Sequence, residues 1–390
     1  MVSNSPVVAH SEPGANLVVQ RYLAAFSDDS SILVAASPRL ASLRSADWLA
    51  DWCTTDCAST FEPGRCSTDE LVIETSGTTG EPKLVRYRKQ TLRDCATAIG
   101  KTLPLTAQRE AYVSLVNPRL AYGLSITHSH LSAGVPVTIK RAPVSLDSWE
   151  EFRHELHANS SVYLLPHQSY LLAHKNFRLD DPIELIFAGG RLTQTMVDHL
   201  YTSFPDATIV NMYGQAEMGP RIAIGRSAIS DFCEGHVGAA LPGVKIRTSQ
   251  ENSIEVDTPY RMTSYVAVDG SAQPTPTWWP TGDIGHLSPT GDLYVDGRAA
   301  DDVNFLGTRV RLRDLSDAVR GVDGVLDAGV SVAEHKVYGQ QPSIRVLTQA
   351  DAADIEARVR KALAATIGTS AAAVLVRVVD PARLPESGKI

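Results

Sequence analysis

Between residues 70 and 214, short apolar runs alternate with longer segments whose apolar positions follow a helical period. The runs Leu71–Ile73, Ala111–Val116, Val135–Ile139, Ser161–Leu165, Ile183–Ala188 and Ala207–Asn211 predict strands. Lys89–Leu103, Ser145–His157, Gln168–His174 and Leu192–Phe204 predict the intervening helices. This alternation predicts parallel strands joined by crossover helices. Beyond His236 the rhythm changes. Val244–Arg247, Ser253–Val256 and Tyr265–Val268 are short β segments set between Gly, Pro, Asn and Asp, as in a small β-rich subdomain. After Gly297 a third pattern begins, with Val303–Phe305, a helix near Leu312–Val319, Ala328–Ala333, Ser343–Leu347 and Val374–Val379. Within it, Ile355, Val359, Leu363 and Ile367 recur at four-residue spacing and predict an amphipathic helix in an Ala-rich stretch. The expected fold class is α/β, with a large αβ-layered domain over 1–297 that carries the β-rich subdomain. A small α/β domain over 298–390 follows it.

Length supports two domains, because 390 residues exceed the roughly 250–300 at which single cores divide. A 43% hydrophobic, 21% charged composition is that of a globular protein, and a net charge of -8 argues against nucleic acid as the main partner. No apolar run approaches the ~20 residues of a membrane span. The first residues lack a basic start followed by an apolar stretch, so a cytoplasmic protein is expected. Cys53, Cys57, Cys66, Cys95 and Cys233 show no zinc-like spacing and read as reduced thiols.

The densest chemistry lies in Thr75-Ser76-Gly77-Thr78-Thr79-Gly80-Glu81-Pro82-Lys83, directly after an apolar strand. Four hydroxyls and two glycines in six residues suit a polyphosphate. Glycine lets backbone approach an anion, and successive N–H and O–H groups supply donors. The Walker spacing is absent. A polar surface loop is the ordinary alternative for a hydroxyl–glycine run. Three more segments follow in order: Phe187-Ala188-Gly189-Gly190-Arg191-Leu192, Asn211-Met212-Tyr213-Gly214-Gln215-Ala216-Glu217, and Thr281-Gly282-Asp283 with Gly291-Asp292 and Gly297-Arg298. The chain closes with Leu384-Pro385-Glu386-Ser387-Gly388-Lys389-Ile390. Taken singly, these segments read as tight turns, a hairpin and a solvated terminal charge.

Together, in this order, they resemble the adenylate-forming (acyl-CoA synthetase) superfamily from about Glu70 to Ile390. The resemblance implies that Thr75, Ser76, Gly77, Thr78, Thr79, Gly80 and Lys83 hold the phosphates of ATP. It implies that Gly189, Gly190 and Arg191 form one wall of the adenine site and that Tyr213, within Asn211-Met212-Tyr213-Gly214-Gln215, stacks on adenine. Glu217 would hold Mg²⁺, whose preference for hard oxygen ligands suits a carboxylate. Asp283 would accept the ribose hydroxyls, since a carboxylate takes two hydrogen bonds at once. Arg298 would add a contact to ribose or phosphate. Lys389 would be the catalytic cation that stabilises charge on the phosphoryl group. The superfamily also implies a mobile C-terminal domain that closes on the active site.

Ala121-Tyr122-Gly123-Leu124-Ser125 looks most like acyl-CoA ligases and nominates Tyr122 and Ser125 for the acyl pocket. Gly307 falls in the turn that lines the pantetheine tunnel of CoA-using relatives. Arg119 is either a pocket cation for an acidic substrate or a surface charge. The chain departs from the pattern at Ala216 (usually Thr), Ala300 (usually the hinge residue) and Asn304 (often Lys), and its region before Glu70 is short. The leading expectation is Mg²⁺-dependent activation of a small carboxylic acid as acyl-AMP, then transfer to CoA. One alternative delivers the acyl group to a carrier protein or an amine, and another is a nucleotide-binding homologue without catalysis.

Overall fold

The computed structural model describes residues 31–34, 58–61, 70–75, 83–118, 120–140, 142–143, 146–174, 176–266, 272–298, 302–306, 308–335, 339–348 and 350–379. In chain order the first elements are β1 (Ser31–Val34), β2 (Ala58–Phe61), β3 (Glu70–Thr75), β4 (Lys83–Arg88), α1 (Lys89–Thr102), β5 (Ala111–Ser114), α2 (Ala121–Ala133), β6 (Thr138–Ile139), α3 (Leu146–His154) and β7 (Ser160–Leu164). Next come α4 (Ser169–Leu172), β8 (Glu184–Phe187), α5 (Gln194–Ser203), β9 (Thr208–Tyr213), β10 (Ala223–Ala228), β11 (His236–Ala240), β12 (Lys245–Thr248), β13 (Ser253–Asp257), β14 (Ser264–Val266), β15 (Ala272–Pro274), β16 (Trp279–Leu287) and β17 (Leu293–Arg298). The remainder is β18 (Asp302–Phe305), β19 (Thr308–Arg311), α6 (Leu312–Arg320), β20 (Val325–His335), β21 (Gly339–Thr348), α7 (Ala352–Ile367) and β22 (Leu375–Val379).

Among the described residues the largest sheet has eleven strands in the order β12-β13-β16-β17-β11-β10-β9-β8-β7-β5-β6. Its half from β6 to β9 is parallel, as the alternation of strands and helices predicts. Strands β7 and β8 are buried at every position; their apolar residues Val162, Tyr163, Leu164, Leu185, Ile186 and Phe187 fill both faces, and the buried Ser161 hydroxyl donates to Glu184 at 2.8 Å. From β9 onward the same sheet continues antiparallel. The β-rich segments therefore extend the main sheet instead of forming an isolated layer.

Three local expectations change. Leu71–Ile73 does not join the parallel series; β3 lies in a six-stranded sheet and pairs antiparallel with β4. The strand at Val135–Ile139 shrinks to two residues, because Gly134 ends α2 in a left-handed turn and Pro136 has no N–H for a ladder. The segment Gln168–His174 forms a 3₁₀ turn over Pro166–Gln168 and a single α turn, α4. Helix α2, which carries Tyr122 and Ser125, has no predicted counterpart. Its residues from Tyr122 to His130 are all buried, so no polar face marks a helical period.

Apolar packing divides in the same places. One cluster gathers Tyr122, Tyr163, Met212, Ile222 and Ile254 under the main sheet. A second, around Trp149, Phe187 and Phe204, fills its other face. A third lies wholly within residues 303–378, where Leu315, Val359 and Leu363 from α6 and α7 meet Ile344 and Val346 of β21.

Buried histidines in this core are held neutral. His130 holds its Nδ1 3.1 Å from the Val135 carbonyl, and its Nε2 accepts from the Tyr163 hydroxyl at 2.8 Å. Burial lowers its pKa from 6.5 to about 4, and His167 is lowered to about 4 by the same cause. Between those values the unfolded chain binds protons that the folded chain refuses, so stability present above pH 6.5 is lost as pH falls towards 4. Chemical denaturation should show the unfolding free energy declining over this window by up to roughly 1.4 kcal/mol per pH unit for each histidine. His130→Gln should flatten the slope.

Candidate active site

The site grows from strand ends. Thr75 closes β3 and pairs with Lys83, which opens the antiparallel β4. Ser76, Gly77, Thr78, Thr79, Gly80, Glu81 and Pro82 themselves lie outside the described residues. Thr75 is buried, and the exposed Lys83 places its ammonium 5.2 Å from the centre of the Tyr265 ring. The Tyr265 hydroxyl in turn donates to Glu217 Oε1 at 2.9 Å. Strand β14 brings this about, pairing Tyr265 with Val85 of β4. Burial and the neighbouring carboxylate hold the Tyr265 phenol above its ordinary range, so it stays a donor.

The loop after β9 is anchored from both sides. Tyr87 of β4, fully buried, donates its hydroxyl to the Ala216 carbonyl and accepts from the Gly219 N–H at 2.9 Å. Met262 donates its N–H to the Glu217 carbonyl at 2.8 Å. Gly214 has no room for a side chain, since a Cβ there would lie 2.2 Å from the Pro220 carbonyl oxygen.

Asp283, only 5% exposed, is the centre of the second group. Its Oδ2 accepts from the Tyr213 hydroxyl at 2.6 Å and from Gln215 Nε2 at 3.0 Å. Its Oδ1 lies 3.1 Å from Arg298 Nε, directly across the β16–β17 ladder. Gln215 Nε2 also donates to the Thr281 carbonyl at 2.7 Å, while Gln215 Oε1 accepts from Trp279 Nε1 at 3.2 Å. Burial, and then the Asp283 charge, push the Tyr213 phenol well above its usual range and keep it protonated.

Other expected residues take different places. Gly189 and Gly190 are exposed just past β8, Gly189 with φ +81°, a conformation that favours glycine. Arg191 pairs with Glu234, whose other oxygen accepts the Gln194 N–H at the start of α5. Asn211 donates to the His236 carbonyl at 2.9 Å, tying β9 to β11 across the intervening β10. Met212 is buried in the core beneath Tyr213. Tyr122 is buried, donating to the Ile186 carbonyl at 3.1 Å, with the Arg221 guanidinium over its ring. The Ser125 hydroxyl is buried and donates to the Tyr122 carbonyl at 2.7 Å. Arg119, Ala300, Gly307 and Lys389 fall outside the described residues, as do Cys53, Cys57 and Cys66. Tyr87, Tyr265, Trp279 and Arg221 were missed by the sequence reading. Only Arg221 carries a local signal, a charge set in the apolar run Ile222-Ala223-Ile224 and its preceding Gly219-Pro220 turn.

The ends of β3, β4 and β9 and the buried Asp283 define the candidate site, and the comparisons with known proteins give the family. A family model described as AMP-binding enzyme matches residues 20–257. The chain belongs to that family, within the adenylate-forming superfamily. It is similar to a D-alanine–D-alanyl carrier protein ligase of Lactococcus lactis, 28% identical over 171 residues, 40% of this chain and 33% of the relative. It is also similar to a 2-succinylbenzoate–CoA ligase of Bacillus subtilis, 27% identical over 285 residues, 70% of this chain and 57% of the relative. A solved structure of the o-succinylbenzoate CoA synthetase from Bacillus subtilis with its acyl-adenylate intermediate shares the fold at a TM-score of 0.65 and 16% identity. That match covers 100% of this chain and 95% of the other. The chain spans about a third to about half of the length of the first curated relatives it matches. Among the described residues no helix is long and apolar enough to cross a membrane.

Removing one donor from Asp283 tests the central group without touching its charge. Tyr213→Phe should lower the unfolding free energy by about 1.5–3 kcal/mol, the usual worth of a hydrogen bond to a charged group. Asp283→Ala should cost more, because it leaves three donors without their acceptor. Urea denaturation of both variants measures the order.

Proposed function

We propose that this protein is an AMP-forming carboxylate ligase. It activates a carboxylic acid with ATP as an acyl adenylate, releases pyrophosphate, and passes the acyl group to a thiol, for which CoA is the leading candidate. The observation that carries this reading is the meeting of three distant motifs on Asp283 and Glu217: Tyr213 and Gln215 on one, Tyr265 with Lys83 beside it on the other.

The chemistry follows from these groups. Asp283 Oδ1 has a lone pair beyond its bond to Arg298 for one ribose hydroxyl, and the half-exposed Arg298 can release the site for the second. Tyr213 offers its ring to adenine while its hydroxyl holds Asp283 in place. Glu217 Oε1 is taken by Tyr265, which leaves Oε2 for a metal. One carboxylate fits Mg²⁺, which keeps waters and takes its other ligands from phosphates; bound there, the ion would neutralise charge on the leaving pyrophosphate. Lys83, at the start of β4, follows directly on the segment proposed to grip the phosphates. Lys389 is proposed as the cation that reaches the α-phosphate from the C-terminal domain, residues 298–390. Carboxylate attack on phosphorus converts a poor leaving group into AMP, so a thiol can displace it in the next step.

The relatives named as D-alanyl carrier protein ligases favour a second reading of the acceptor, a carrier protein in place of CoA. The two share the first half-reaction. Carboxylate-dependent exchange of labelled pyrophosphate into ATP should be detectable, and its absence with a broad panel of acids would remove the proposal. AMP release that depends on free CoA separates the first acceptor from the second. Glu217→Gln and Lys389→Ala should each lower exchange by on the order of 10²-fold or more, with ATP binding by calorimetry largely retained for Lys389→Ala.

A further inference from the structure

Arg221 is 3% exposed, yet among the described residues no carboxylate is paired with it. Its guanidinium carbon sits 4.3 Å from the centre of the Tyr122 ring, its Nε points at Met212 Sδ at 3.3 Å, and its Nη1 donates to the Pro220 carbonyl. A guanidinium carries five N–H donors. Among the described residues, two acceptors meet them, a weak thioether and one carbonyl. The groups whose charge acts on it are the Tyr122 and Tyr163 phenols and the Cys95 thiol, with no carboxylate among them. Burial pushes the Cys95 thiol up to about 12, so it is not an anion. A buried, always-charged group without a counter-ion is costly and rare.

Its location is informative. Gly214 lies directly against it, where a Cβ would stand 2.9 Å from Arg221 Cα. Gly189, on the other side, faces the Tyr122 ring, which a Cβ would approach to 3.7 Å. Arg221 thus sits where the segments around Tyr122, Gly189 and Gly214 converge, behind the strand ends that carry the proposed adenylate site. The Tyr122 ring occupies one face of the guanidinium, whose remaining N–H donors lie in its plane, the direction in which a carboxylate oxygen is met.

We propose that Arg221 is the counter-ion for a second carboxylate on the substrate, and that the enzyme activates dicarboxylic acids at the carboxyl remote from this arginine. This rests on the ligase reading above. The ligand completes the charge pair that the chain leaves open, and a bidentate pair in this setting discriminates strongly against an acid that lacks the second group.

The test compares matched acids, each dicarboxylate beside the monocarboxylate in which one acid is replaced by methyl, in pyrophosphate exchange. The wild-type protein should favour the dicarboxylate in kcat/KM by at least about 30-fold. Arg221→Met should abolish that ratio, and Arg221→Lys, which keeps the charge but loses the fork, should reduce it several-fold. Calorimetric binding of the dicarboxylate with ATP present should weaken in parallel, which a purely structural arginine would not produce. A wild-type enzyme that turns over monocarboxylates as well as dicarboxylates overturns the inference and leaves the ligase reading intact, as does a preference that survives Arg221→Met. No exchange with either class removes the ligase reading and the inference with it. If Arg221→Met does not fold, as judged by its melting curve, the wild-type ratio and Arg221→Lys decide.

Discussion

A single buried carboxylate, Asp283, ties the two halves of the main sheet together at their functional end. Tyr213 and Gln215 come from the end of the parallel half and the loop beyond it, and Arg298 from the antiparallel half. A carboxylate this deeply buried must be met by donors, because an unpaired charge costs several kcal/mol. The need for those donors fixes where β9 ends, how the loop after it turns, and which residue of β17 faces β16. Arg298 follows from register alone, since it stands opposite Asp283 in the ladder.

The second half of the site obeys the same logic at lower density. Glu217 is steered by Tyr265, and the loop that carries it is held at both ends by Tyr87 and Met262. Tyr87 and Tyr265 belong to the six-stranded sheet and Met262 lies just before its strand β14, so Lys83 and the metal carboxylate proposed here are mounted on one frame. The acyl side differs. Tyr122, Met212 and Pro220 surround Arg221 with apolar or weakly accepting groups. Asp283 is met by three donors from the chain, whereas Arg221 meets a thioether and one carbonyl among the described residues, and that contrast underlies the different roles proposed for them.

Much of the architecture was legible because burial leaves a periodic trace. The parallel strands β5, β7, β8 and β9 and the helices α1, α5 and α7 all lie within a few residues of their predicted spans. Helix α2 was invisible because its buried surface runs all the way round, which erases the contrast that marks a helix. The antiparallel pairing of Thr75 with Lys83 was also hidden. An apolar run such as Leu71–Ile73 reads the same whether its partner is parallel or antiparallel.

The candidate site divides along the same line. By itself the sequence determined the kinds of groups present: hydroxyls and glycines after a strand, Tyr213 with Glu217 four residues on, Asp283 followed by Arg298, and the order that places the chain among AMP-binding enzymes. Tertiary structure alone decided their partners. Tyr265 on Glu217, Trp279 on Gln215 and Arg221 on Tyr122 join residues dozens of positions apart, and Arg191 is drawn away to Glu234. Local pattern records which side chains are buried, since burial repeats with the backbone period. It does not record which donor meets which acceptor, because that depends on strand order and register, and these are set only when the whole sheet closes.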